Sequence, residues 1–212
     1  PGSGAVGVNE RLLPHLPIPV VTKTEVDGET IYDWASEEDY PGSIGRLSGF
    51  MGNAGVLLRA YVYMRMVGRD GMERVAEYAT LNANYLMARL RDAGLELAFP
   101  GRRASHEFIV TLRHEAREFH LTAMDVAKAL LDRNFHAPTT YFPLLVPECL
   151  LIEPTETESK ETLDNFVAAM VDIVRAAKEE GVEYKDAPFS MPVRRLDDVK
   201  AARELDLRYV PE

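Results

Sequence analysis

The chain has 212 residues, a formal net charge of -10 and a single cysteine, Cys149. Its length allows one ordinary domain, or two small ones, with a real hydrophobic core. The negative charge argues against a general nucleic-acid binder, the lack of a long apolar run or leader argues against a membrane segment, and the lone cysteine argues against a disulfide framework and favours a reducing compartment.

The first 45 residues are rich in proline and glycine and are expected to be mostly extended. PGSGAVGV (1–8) contains three glycines, and it is either a terminus without fixed structure or the continuation of a functional loop. VVTKTEV and TIYDW flank Asp27 and Gly28, a pair that favours tight turns with positive φ. This pattern predicts a two-stranded hairpin.

Two helical segments follow the hairpin. Residues 45–68 are apolar on nearly every face, which predicts a buried helix whose glycines allow close backbone approach. Residues 69–94 place apolar side chains at helical spacing and end at Gly94, a residue typical of the position just after a helix.

The second half alternates strands with helices. LELAF, EFIVTL and CLLIEP are predicted strands. A helix capped by Thr122, with Asp125 three residues on, is expected to run to about Asn134, and a long amphipathic helix is expected to begin at a Thr155 cap. A short charged helix ends the chain. This order predicts an α+β sandwich with one layer of helices on a small, largely antiparallel sheet.

The five histidines do not indicate a metal site, because none forms an HxxxH pair on a predicted helix. His114 and His120 lie in a polar connection and are expected to be solvated. The chain also contains no Walker-type loop and no evident pairing of a nucleophile with a base.

Three local patterns are candidates for ligand contact, each with a plain structural alternative. SHEF (105–108) fits the edge of a site or a turn with a capping serine. NFHAPTTYFPL (134–144) fits a rigid recognition loop or an ordinary change of chain direction. Arg195 fits a carboxylate clamp or an ion pair with Asp197 or Asp198. Spacing alone leaves the role of the protein open.

Seven segments, taken in order, resemble one known family. They span nearly the whole chain: PGSGAVGV, SIGRLSGFMGNA, LNANYLMARL, SHEFIV, DVAKALLDRNFHAPTTYFPL, EPTETESKETLDNFVAAM and PFSMPVRRLDD. Their combination is similar to the C-terminal part of glycine decarboxylase, the P-protein of the glycine cleavage system, and in particular to subunit 2 of its two-subunit bacterial form.

The resemblance implies a cytoplasmic fold-type-I enzyme that uses pyridoxal 5'-phosphate (PLP). Glycine would lose its carboxylate as CO2 with the cofactor as electron sink, and the aminomethyl group would pass to the lipoyl arm of H-protein. On this basis, residues 1–93 would be an extended arm and connecting helices left from the large PLP domain. Residues 94–212 would be the C-terminal α+β small domain.

In that family the cofactor lysine lies in a His-Lys segment followed by a run of glycines that leads into PGSG. This sequence begins after such a segment, and none of its six lysines has the required context. The expectation is therefore that the isolated chain contains no catalytic residue of the PLP chemistry, binds no PLP, and is inactive as a C-terminal fragment.

The resemblance also implies candidate contacts in the complete enzyme. The cofactor-proximal candidates are Gly2, Ser3, Gly4, Ser43, Gly45 and Asn53. The candidates for contact with substrate or with the lipoyl arm are His106, Thr139, Thr140 and Arg195.

The expected partners are glycine, lipoylated H-protein and glycine dehydrogenase subunit 1, with no nucleic acid, membrane or metal. Two alternatives stay open. The chain is an assembly or docking module without catalytic residues, in which case the apolar faces of residues 46–68 predict self-association. Otherwise it is the small domain of another fold-type-I decarboxylase or aminotransferase, against which SHEF and EPTE argue.

Overall fold

The computed structural model describes residues 6–49, 52–208 and 210–211. The chain divides into two compact units, Pro1–Arg69 and Asp70–Glu212. The division at residues 93 and 94 concerns the architecture of a whole enzyme and stays a prediction; in this structure the preceding helix contributes buried side chains, such as Leu86 and Leu90, to the core of the second unit. No described helix has the length and apolar composition that crossing a membrane requires.

The first unit contains the predicted hairpin. Strand β1 (Val21–Val26) pairs antiparallel with β2 (Glu29–Trp34). Asp27 and Gly28 between them have φ values of 51° and 82°. Positive φ at both central residues defines the turn whose twist matches that of the strands, so the hairpin prediction is confirmed.

Helix α1 (Ala54–Asp92) begins later than the sequence suggested, and its backbone departs from helical geometry at Gly68. Asn53 Oδ1 accepts a hydrogen bond from Val56 N at 3.2 Å and so caps its start. The prediction of a buried helix over 45–68 is wrong for the described residues, since Leu58 is 63% exposed and Met66 81%. An apolar helix is buried only where another apolar surface covers it, and the described residues supply none here.

In the second unit the end of α1 is followed by four strands and four helices. They are β3 (Glu96–Leu97), β4 (Phe108–Thr111), α2 (Arg113–Phe119), α3 (Ala123–Leu131), β5 (Thr139–Thr140), β6 (Cys149–Ile152), α4 (Lys160–Glu179) and α5 (Asp198–Arg203). The predicted α+β class is confirmed. Helix α2 and strand β5 are additions to the predicted order.

The four strands form one antiparallel sheet in the order β3-β4-β6-β5. Phe108 pairs with Ile152, and Val110 with Leu150. These four side chains are buried, whereas the alternating Ile109 and Leu151 are half-buried. Because side chains alternate between the faces of a strand, this pattern indicates that one face carries the core.

The core lies between that face and helices α1, α3 and α4. Its fully buried side chains include Leu90, Leu130, Leu150, Met170 and Ile173. Each helix contributes an apolar stripe at helical spacing, as the amphipathic patterns predicted. The helices thus cover this face of the sheet in one layer.

The helix ends are fixed by local polar contacts. Thr122 and Asp125 form the expected capping box at α3, with Asp125 N donating to Thr122 Oγ1 at 3.2 Å. Gly94 has a φ of 93°, so the predicted stop after α1 is also confirmed. The predicted Thr155 cap of α4 is wrong: Ser159 Oγ accepts from Thr162 N at 3.1 Å, four residues further on.

Asp132, at the C-terminal end of α3, binds a segment of the chain that follows α4. Its carboxylate accepts hydrogen bonds from the backbone N–H groups of Phe189 and Ser190 and from the Ser190 hydroxyl. Burial opposes ionisation of Asp132, but these hydrogen bonds outweigh it and lower the pKa of the carboxyl below its usual value. Residues 189–190 are therefore attached to the folded unit.

Replacing Leu150 by alanine tests the central position of β6. Leu150 is fully buried, so the Leu150→Ala variant should lose about 3 kcal/mol of unfolding free energy through lost burial and the cavity left behind. Leu145, which is 95% exposed, is the matched control, and Leu145→Ala should change the value by less than about 0.5 kcal/mol. Urea unfolding of both variants measures this, and equal midpoints would contradict the assigned core.

Candidate functional site

Polar and charged side chains from three separate segments lie at one end of the four-stranded sheet. Phe108 and Ile152 form the last residue pair between β4 and β6 at this end. Glu107 and Glu153 are the next residues along the two strands, so antiparallel pairing brings them out of the sheet side by side. Thr139, which pairs with Leu151, starts β5 at the same end.

His106 lies among two acidic side chains and a hydroxyl at this end. Its Nδ1 is 3.1 Å from Ser105 Oγ, and its Nε2 is 3.9 Å from Glu153 Oε1 and 4.0 Å from Glu107 Oε2. The His106 side chain is 53% exposed. A half-exposed imidazole with a hydroxyl on one nitrogen and carboxylates near the other can exchange a proton with a bound molecule.

A cleft of about 520 Å³ opens at this end of the sheet, and Thr139 and Glu153 are part of its lining. Its apolar side includes Leu86, Phe135, Leu163 and Phe166, and its polar side consists of Asn134, His136, Thr139, Glu153, Thr155, Glu158 and Thr162. Small-molecule sites combine such an apolar lining with a few polar groups in clefts of this size. The sheet end and the cleft together are hereafter called the sheet-end site.

Two asparagines inside α1, which were not among the predicted site residues, bind the segments on either side of the His106–Glu153 contact to this helix. Asn82 Nδ2 donates to Thr155 O at 2.9 Å and to Glu158 O at 3.1 Å. Asn84 exchanges two hydrogen bonds with the backbone of Ala104. The sequence signal for this role was the presence of two asparagines inside a predicted helix, because asparagine favours caps and turns over helix interiors.

The four predicted substrate residues lie in two different places in the structure. His106 and Thr139 belong to the sheet-end site, and Thr140 is the next residue in β5, paired with Leu150. Arg195 is bonded elsewhere: it donates to Asp125 Oδ1 at 2.5 Å and to Tyr184 O at 3.2 Å. The expected pairing of Arg195 with Asp197 or Asp198 is wrong, because Asp125 offers a partner that is almost fully buried.

Asp125 lies at the N-terminus of α3, near the opposite end of β6. There Glu148, the residue before β6, accepts a hydrogen bond from Ala123 N at 2.8 Å. Burial, followed by the nearby charge of Glu148, raises the pKa of Tyr141 above its usual value. Arg195 thus places a positive charge beside an acidic helix start.

The predicted cofactor residues fall into two groups. Gly2, Ser3 and Gly4 lie outside the described residues. Ser43 Oγ donates to Leu16 O at 2.6 Å and accepts from Gly45 N at 3.0 Å. The Asn53 side chain caps α1.

These contacts decide how well the described residues suit PLP, which needs a phosphate cradle and a free lysine amine. The Ser43 hydroxyl and Asn53 Oδ1 already bind backbone groups. Lys160 and Lys178 are paired with Asp164 and Glu115. Ser43, Asn53 and these two lysines therefore do not form a PLP site by themselves, and the described residues contain no cluster of three metal-ligating side chains.

His114 and His120 are exposed as expected. Their connection, however, is helix α2, in which His114 Nε2 lies 3.2 Å from Glu118 Oε1 and His120 follows the last turn with a φ of 56°. A surface pair one turn apart accounts for this part of the chain without a ligand.

Comparison with known proteins identifies relatives along the whole chain. The profile of a family described as "Glycine dehydrogenase, C-terminal domain" matches residues 75–191. "Probable glycine dehydrogenase (decarboxylating) subunit 2" of Thioalkalivibrio sulfidiphilus is 68% identical over 211 residues, which cover 100% of this chain and 42% of that protein. The protein of the same name from Thiobacillus denitrificans is 65% identical, with 100% and 43% covered. The chain thus spans about two fifths of the length of these relatives.

A solved structure shares the fold. The crystal structure of glycine decarboxylase (P-protein) of the glycine cleavage system, in inhibitor-bound form, matches with a TM-score of 0.61 at 21% identity. The match covers 77% of this chain and 37% of that one. The mixed α/β architecture is therefore one found in a fold-type-I enzyme.

Replacing Arg195 by alanine tests its assignment as a structural residue. The change leaves Asp125 buried without its cation, so we expect a loss of about 3 kcal/mol of unfolding free energy. Adding Asp125→Asn should recover part of this loss, because the uncompensated charge is then removed. The adjacent and exposed Arg194 is the control, and Arg194→Ala should leave thermal unfolding nearly unchanged. Equal melting temperatures for the two arginine variants would contradict the assignment.

Proposed function

The chain belongs to the glycine dehydrogenase C-terminal domain family, and from this we propose that it forms part of a glycine dehydrogenase (decarboxylating). The observation that carries the proposal is the family match over residues 75–191, a range that includes every residue of the sheet-end site. The whole enzyme would decarboxylate glycine and transfer the remaining aminomethyl group to the lipoyl arm of H-protein. Relatives with the same name at 65–68% identity support this reading over another fold-type-I decarboxylase or aminotransferase.

PLP would supply the electron sink for loss of the carboxylate. Since the contacts of Ser43, Asn53, Lys160 and Lys178 do not form a PLP site by themselves, no step of the reaction is assigned to a contact between this chain and PLP. The part of Ser43, Gly45 and Asn53 in a cofactor site remains a proposal for the complete enzyme. The same holds for Gly2, Ser3 and Gly4.

The role proposed for this chain is to bind and orient a reactant at the sheet-end site. Its cleft pairs an apolar side, suited to an alkyl chain, with hydroxyl and carboxylate groups suited to an amine. His106 Nε2 would hold or release a proton there, with Ser105 Oγ fixing the ring through Nδ1. Thr139 would orient the reactant, and Thr140 would act indirectly, as the next residue of strand β5. Arg195 would act only by supporting the fold.

A second role, in assembly, is favoured by residues 54–67 of α1. Large apolar side chains are exposed along this segment: Leu57, Leu58, Tyr61, Val62, Tyr63, Met64 and Met66. Exposed apolar surfaces of this kind mark protein contacts. We propose that the enzyme works in the cytoplasm together with glycine dehydrogenase subunit 1 and lipoylated H-protein, and that the chain self-associates where this surface has no other partner.

The activity is tested with the assembled enzyme, PLP, lipoylated H-protein and glycine labelled at its carboxyl carbon. We expect labelled CO2 to be released from glycine and not from carboxyl-labelled alanine, the matched control for the substrate. Release that is equal for both amino acids, or absent under these conditions, would contradict the proposed function.

Replacing His106 by alanine tests the proton-transfer role. General acid–base groups typically contribute about 100-fold or more to rate, so the turnover of His106→Ala should fall by about that factor. His114→Ala is the control, because the His114 side chain is similarly exposed, at 56%, but lies on α2. Turnover numbers at saturating glycine measure the effect, and equal values for the two variants would remove His106 from the mechanism.

A further inference from the structure

Asn82 connects α1 to the segment that forms one wall of the cleft. Its Nδ2 donates to two carbonyl groups, Thr155 O at 2.9 Å and Glu158 O at 3.1 Å. These carbonyls are three residues apart and belong to the turn between β6 and α4. A single amide group thus closes this turn against the helix. Thr155 and Glu158 both line the cleft.

Asn84 connects the same helix to the segment that carries His106. Its Oδ1 accepts from Ala104 N at 3.1 Å, and its Nδ2 donates to Ala104 O at 2.8 Å. Two hydrogen bonds to one residue fix both the position and the direction of the backbone, as a pair in a sheet does. Ala104 lies two residues before His106.

The spacing of the two asparagines explains why they reach different segments. Residues i and i+2 of an α-helix point about 200° apart, so their side chains do not face each other. Ala83 between them is fully buried, and Leu86 follows in the same core. The helix is therefore held by its packing, and the two amides extend from a rigid support toward two different segments.

We propose that Asn82 and Asn84 are positioning residues that set the separation of His106 from Glu153 and from the cleft wall. This inference rests on the proposed function for its kinetic consequence. Each segment carries one side of the His106–Glu153 contact of 3.9 Å, and each is bound to α1 by one asparagine. The helix therefore fixes the positions of both segments relative to each other.

The amide group is specific for this task because the pairing with Ala104 requires a donor and an acceptor on one side chain. In Asn84→Asp the carboxylate still accepts from Ala104 N, but it faces Ala104 O without a proton to donate. In Asn84→Ala both hydrogen bonds to Ala104 are lost, together with the one that Nδ2 donates to Thr80 O at 2.8 Å inside the helix. We therefore predict that the His106 segment is held best with asparagine at position 84, less well with aspartate and least well with alanine.

The test uses the assembled enzyme with Asn84→Ala, Asn84→Asp and Asn82→Ala, and with Asn165→Ala as control. Asn165 is an exposed asparagine inside α4. Hydrogen exchange should rise in residues 99–107 for the Asn84 variants and in residues 153–159 for Asn82→Ala. The imidazole NMR signal of His106 should shift in the graded order, with the His114 signal unmoved. Asn165→Ala should change neither.

Kinetics separate a positioning role from a role in stability alone. A displacement near 1 Å of a reacting group can cost about 100-fold in rate, so turnover in Asn84→Ala should fall at least about tenfold at temperatures well below unfolding. Asn84→Asp should recover part of that loss. Asn82→Ala provides the same comparison should Asn84→Ala fail to fold.

The possible outcomes are distinguishable. Unchanged exchange and an unmoved His106 signal in the asparagine variants would overturn the inference. Raised exchange and a shifted His106 signal, together with normal turnover in both Asn84→Ala and His106→Ala, would uphold the positioning role and overturn the catalytic use of this site. A fall in turnover that follows only the melting temperature would also overturn the inference.

Discussion

The ladder between β4 and β6 is the interaction on which the second unit depends. It pairs Phe108 with Ile152 and Val110 with Leu150, and all four side chains are buried. A slip of one residue would turn this apolar set away from the helices and bring the alternate side chains inward. The burial pattern therefore fixes the register, and the register in turn fixes which residues leave the sheet together at the site.

Local order in the sequence accounts for the features that were predicted correctly. The Asp27-Gly28 turn, the Thr122–Asp125 capping box and the Gly94 stop each depend on residues within four positions of one another. The strands at 108–111 and 149–152 follow from their composition and apolar character. In these cases the deciding contacts are already present in a short window of sequence, so pattern reading suffices.

The features that sequence reading missed depend on distant partners. Arg195 bonds to Asp125, which is 70 positions away, and Asn82 bonds to Thr155, which is 73 away. Thr155 has the chemistry of a cap, but Asn82 holds its carbonyl in the preceding turn and Ser159 caps α4 instead. His106 was identified as a candidate, but its contact with Glu153 required the strand register. The resemblance to glycine decarboxylase supplied the family, whereas the contacts within the site came from the fold.

The ion pair between Asp125 and Arg195 links the start of α3 to a part of the chain that is synthesised much later. Besides Arg195, backbone N–H groups and the Thr122 hydroxyl bind the two carboxylates that meet at this helix start, those of Asp125 and Glu148. Two carboxylates and one guanidinium leave this helix start with a net negative charge, which suits the positive end of the helix dipole. A chain shortened before Arg195 would therefore keep the capping hydrogen bonds of α3 but lose the cation that contacts Asp125.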